Sequence, residues 1–126
     1  MALNRERNTL ENLVYEIVYP LHEIDSFKGE EIKNHISSVI EEVGAVIIDF
    51  SKIAYLNSSG LREMIQILKL TREHKKKLIL AQLSPDMKRV FVHTNLDRLF
   101  IFQDSLQAAV DEAIKSDNPD SSDKPE

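Results

Sequence analysis

The sequence predicts an α/β fold with a mostly parallel central sheet of about four to five strands and about four helices. Three observations carry that expectation. Two short, almost continuous apolar runs, Ala45 to Phe50 and Leu78 to Leu83, have the signature of strands covered on both faces. The stretches around them repeat their apolar residues every three or four positions, as helices do. Strand-like and helix-like segments alternate along the chain, which implies parallel neighbours joined by right-handed helical crossovers.

The first element follows a polar segment, residues 1–12, that contains Asn4, Arg5, Glu6, Arg7 and Asn8. Leu13 to Leu21 is rich in β-branched and aromatic residues and reads as a strand, which Pro20 ends or confines to an edge. From Asp25 the period becomes helical, with Ile32, Ile36, Val39, Ile40 and Val43 on one face. Asp25 or Ser26 caps the start of this helix, and Gly44 is expected to close it.

Ala45-Val46-Ile47-Ile48-Asp49-Phe50 belongs at the centre of the sheet. A turn with two hydroxyls, Asn57-Ser58-Ser59-Gly60, then leads into a helix lined by Leu61, Met64, Ile65, Leu68 and Thr71. Arg72, His74, Lys75, Lys76 and Lys77 suit the negative end of that helix. After the strand at Leu78, Ser84 caps a short helix with Pro85 in its first position, burying Met87, Val90 and Phe91. Phe100-Ile101-Phe102 is a last strand, and Leu106, Ala109, Val110, Ala113 and Ile114 fit a last amphipathic helix. The domain is thus expected over residues 13–115, followed by an acidic tail, 116–126, expected to be disordered because it has no apolar anchor.

Composition narrows the function. The chain has 126 residues, 42% hydrophobic and 29% charged, which fits one globular domain. Its net charge of −5 argues against nonspecific binding to nucleic acid, which needs a clustered basic surface. With no cysteine, a disulfide framework or a thiolate metal site is excluded. No apolar stretch approaches the ~20 residues of a membrane span, and no signal sequence is apparent, so a cytoplasmic location is expected.

The turn at Ser58 is the most informative feature. A helix start leaves backbone N–H groups unpaired and carries the positive end of the macrodipole, so an anion formed on a side chain there is stabilised by the fold. Taken alone, Asn57-Ser58-Ser59-Gly60 is also an ordinary helix cap. Asp49, with no second acid clustered near it, suits the capping of a turn better than catalysis. His22, His35, His74 and His93 are scattered without ligand spacing and are expected to be solvated surface residues. The three glycines form no phosphate-cradling loop, and the run Lys75-Lys76-Lys77 is accounted for by solvation and the helix dipole.

The order of elements, with Val46-Ile47-Ile48-Asp49-Phe50-Ser51 leading to Ile53-Ala54-Tyr55-Leu56-Asn57-Ser58-Ser59-Gly60-Leu61, resembles the STAS domain of bacterial anti-sigma factor antagonists. Leu83-Ser84-Pro85 extends the likeness. The resemblance implies a single STAS-like domain and a phosphoprotein that regulates transcription by partner switching, without cofactor and without enzymatic activity. It implies that Ser58 is phosphorylated by a partner that is both anti-sigma factor and serine kinase. A serine phosphatase would reset it. Asn57, Ser58, Ser59, Gly60, Leu61 and Arg62 would contact the partner. Asn57 stands where the family usually has aspartate, although asparagine can still cap the helix. His22 and Asn95 stand at positions where the family often has glycine. Two other readings stay open: a constitutive STAS scaffold or subunit of a transporter or stress-sensing complex, and a small enzyme using Asp49 and Ser58.

Overall fold

The computed structural model describes residues 3–115. Its order is β1 (Arg5–Leu10), β2 (Leu13–Val18), β3 (His22–Ile24), α1 (Ser26–Val39), β4 (Ala45–Asp49), β5 (Ile53–Leu56), α2 (Ser58–Glu73), β6 (Lys77–Ala81), α3 (Pro85–His93), β7 (Ile101–Gln103) and α4 (Leu106–Ala113). A five-stranded sheet runs β1-β2-β4-β6-β7, and β3 pairs with β5 in a separate ribbon. Only β1 is antiparallel to its neighbour in the main sheet. The α/β expectation holds, with β4 at the centre and every one of its residues buried.

Alternation along β4 explains why helices cover both faces. Val46 and Ile48 face a core shared with Ile32 and Ile36 of α1, Met64 and Ile67 of α2, and Phe91 of α3. Ala45 and Ile47 face the opposite way, onto Ala109, Val110 and Ala113 of α4. Phe91 packs edge-on against Phe100 and Phe102, with ring centroids 5.2 and 5.3 Å apart. Small residues on α4 let it lie close to the sheet.

Several expectations change in detail. The polar segment 1–12 contains strand β1, which pairs with β2 from Arg5↔Val18 to Leu10↔Leu13, so the sheet begins before Leu13 and β2 is not an edge. The hairpin loop is Glu11-Asn12, both at positive φ, as a type I′ turn requires. Gly44 does not close α1. That helix ends at Val39 with Ile40 as its C-cap, and the Gly44 N–H instead donates to the Val14 carbonyl at 2.7 Å. Ile40 and Val43 still reach the core from the turn, which extends the helical spacing of apolar residues past the end of α1. On α2, Ile67 is fully buried and Ile65 only half-buried. Lys77 opens β6 rather than ending α2, and its buried ammonium donates to the Glu112 carbonyl at 2.8 Å. The tail 116–126 lies outside the described residues.

Candidate functional site

Strands β3 and β5 run parallel with Ile24 opposite Leu56, and each leads directly into a helix. Asp25 caps α1 by accepting from the Lys28 N–H at 2.8 Å, and Asn57 caps α2 by accepting from the Gly60 N–H at 2.8 Å. The two helix starts therefore lie side by side at one end of the molecule. Gly60 makes the approach possible: a Cβ there would stand 2.0 Å from the Ile24 carbonyl oxygen. Further along, the helices stay close because Gly29 leaves room for the Glu63 side chain. Lys33 pairs with Glu63 at 2.9 Å across the same seam.

Ser58 is the first residue of α2 and is exposed, with its hydroxyl at the positive end of the helix dipole. Ser59 is half-buried and Leu61 is buried at 8%, so the second hydroxyl is less accessible and the leucine serves the core. Arg62 is exposed one turn beyond Ser58. Of the residues expected at the turn, then, Asn57, Gly60 and Leu61 build it, while Ser58 and Arg62 present chemistry to solvent. Sequence reading missed two large exposed side chains beside it, Phe27 on α1 (77% exposed) and Tyr55 on β5 (54% exposed). Their signal was faint, because Phe27 stands alone between Ser26 and Lys28 and Tyr55 lies within the apolar stretch Ile53-Ala54-Tyr55-Leu56.

Asp49 is committed elsewhere. Its carboxylate accepts from the Ser51 N–H at 3.0 Å, the Ser51 hydroxyl at 3.1 Å and the Gln82 amide at 3.0 Å. It secures the turn after β4, as a capping aspartate does. Among the described residues no group of three or more His, Asp or Glu side chains is arranged to hold a metal ion. No helix of the described chain is long and apolar enough to cross a membrane.

A second polar cluster was not foreseen. Glu16 on β2 is fully buried and pairs with Arg5, with Arg7 at 3.0 Å and with His35 at 2.7 Å. Burial pushes its carboxyl up, but hydrogen bonds from Arg5, His35 and Arg7 outweigh that and hold it at about 2. His35 is thus a partner of a buried acid and not the solvated surface histidine expected from sequence. At the two positions where the resemblance often places glycine, His22 has φ 69° and Asn95 φ 61°, so both residues hold the left-handed backbone that glycine favours.

A five-stranded mixed sheet with three helices on one face, one on the other, and a capped helix presenting a serine beside a short parallel ribbon defines a single α/β domain. The STAS domain family model matches residues 6–113, and the chain belongs to that family. A relative in Bordetella bronchiseptica, BtrV, named as a candidate anti-sigma factor antagonist, is 24% identical over 87 residues, 68% of this chain and 75% of its own. The crystal structure of tm1081 from Thermotoga maritima, also named as a candidate anti-sigma factor antagonist, superposes with a TM-score of 0.75 at 19% identity over 87% of this chain and 94% of its own. The anti-sigma factor antagonist SpoIIAA in its unphosphorylated form gives 0.65 at 23% identity over 88% of this chain and 96% of its own. The phosphorylated form of SpoIIAA from Bacillus gives 0.66 at 24% identity, covering 88% and 98%. The fold is that of the anti-sigma factor antagonists.

Proposed function

We propose that this chain is a non-catalytic, cytoplasmic anti-sigma factor antagonist that docks onto an anti-sigma factor with serine-kinase activity when Ser58 is unmodified, and releases it when Ser58 is phosphorylated. The observation that carries this reading is the exposed Ser58 at the first position of a helix capped by Asn57. The exposed Tyr55 of β5 and Phe27 in the first turn of α1 offer apolar contact area, and the exposed Arg62 adds a charge. Ser58 is the phosphate acceptor, and Asn57, Ser59, Gly60 and Leu61 set its geometry within the partner contact.

Phosphorylation adds about −1.5 to −2 charges and three acceptor oxygens at this point. The helix start accommodates them, so the fold does not change. A partner surface shaped for a hydroxyl does not, and leaving such a charge poorly matched in an interface costs roughly 2 to 5 kcal/mol, a loss of more than about tenfold in affinity. A serine phosphatase of the same cell restores binding. That structures of SpoIIAA exist in both phosphorylated and unphosphorylated forms supports a switch of this kind in the family. Incubation with candidate serine kinases of the source cell and ATP, followed by mapping of the modified residue by mass spectrometry, tests the assignment. Modification at Ser58, abolished in Ser58→Ala, is the expected result; modification elsewhere, or none with any such kinase, leaves the constitutive scaffold.

A further inference from the structure

A cavity of about 140 Å³ lies at the end of the molecule away from Ser58, between the last turn of α2, the start of β6 and the connection from α3 to β7. Along α2 the cavity's first lining residue, Leu68, stands ~15 Å from Ser58. Its apolar floor includes Leu68, Leu78 and Phe100, and four cationic residues, Arg72, Lys76, Lys77 and Arg98, line it, while no acidic residue does. Arg72 donates to the Leu99 carbonyl at 3.1 Å, which fixes its guanidinium at the rim without neutralising it. Lys76 and Arg98 make no ion pair with another described residue. The C-terminal end of α2 faces the same region, but its dipole offsets only about half of one charge.

We propose that this cavity is a docking site for carboxylate side chains, and that its occupant is the chain's own segment 116–126. The described chain ends at Lys115, whose carbonyl lies 3.3 Å from the ammonium of Lys77, the residue that follows Lys76. Lys115 therefore lies at the end of the molecule that carries the cations. Segment 116–126 brings Asp117, Asp120, Asp123 and Glu126 against one cation, Lys124. At roughly 3.3 to 3.6 Å per residue the segment easily spans the one layer of sheet, ~10 Å, between α4 and the cavity. Complementary charge of this size, tethered at short range, gives a high effective concentration even though each exposed pair is weak.

A nitroxide on Ser122→Cys in the full chain, which has no other cysteine, reports the contact through paramagnetic broadening of backbone amides. At about 0.05 M salt the amides of Lys76, Leu99 and Phe100 broaden, and the effect falls at least about threefold at about 0.5 M salt or in Lys76→Gln/Arg98→Gln. No broadening at these amides, or broadening indifferent to salt and to charge removal, overturns the proposal. So does a full chain whose cavity amides shift with added inorganic phosphate while the label broadens none of them, because the site would then serve a free anion.

Discussion

Asn57 shows at the scale of one residue how a departure from the family pattern is absorbed. Its side-chain oxygen accepts the Gly60 N–H at 2.8 Å, which is the role of an aspartate at that position. Asn57→Ala removes the cap and is expected to lower stability by about 1 kcal/mol in urea unfolding, whereas Asn57→Asp retains it and adds a favourable charge near the helix start. Equal loss in both variants would show that the cap is not what Asn57 contributes. Gly60 is constrained differently, by space: with the Ile24 carbonyl 2.0 Å from any Cβ, Gly60→Ala must push β3 from α2. A destabilisation of roughly 1 to 3 kcal/mol follows, together with amide shifts at Ile24 and Asp25. Unchanged stability and spectra would contradict that close approach. Asn57 and Gly60 were both legible as a helix cap, because Asn and Gly are the residues such a turn selects. The exposure of Phe27 and Tyr55 was not, since it depends on the packing of α1 and β5 and not on local pattern.

At the scale of elements, legibility followed burial. Strand β4 announced itself because every residue is apolar or turn-forming, and α3 because Ser84 and Pro85 are a strong start signal, realised as an N-cap accepting the Met87 N–H at 3.2 Å. Strands β1, β3 and β5 went unrecognised for physical reasons. In β1 no residue is buried, and its inward-facing positions Arg5 and Arg7 satisfy a buried acid where an apolar residue would be expected. Strand β3 has three residues, too few to show a period. The Glu16 cluster ties β1, β2 and α1 together, and its effect depends on pH. Since the folded carboxyl is held at about 2 against an ordinary 4.5, its contribution is present above about pH 4.5 and lost as the pH falls toward 2. The contribution is on the order of 3 kcal/mol at neutral pH. Chemical unfolding between pH 5 and 2 should show a steep fall for the wild type and a flatter profile for Glu16→Gln. Parallel profiles would contradict the role assigned to the cluster.

For the whole molecule, the proposed function divides labour between the folded frame and one position, Ser58, that gains charge. The main sheet and its four helices hold the paired starts of α1 and α2 in fixed relation, so the only quantity that changes in the proposed switch is the charge at Ser58. The most direct measurement is the affinity of the cognate kinase-type anti-sigma factor for the wild type, Ser58→Ala, Ser58→Asp and the Ser58-phosphorylated chain. Tight binding by the wild type and Ser58→Ala, with binding weakened more than about tenfold by Ser58→Asp and by the phosphate, is the result predicted. Equal affinity for all four, with the fold intact in each, would contradict it.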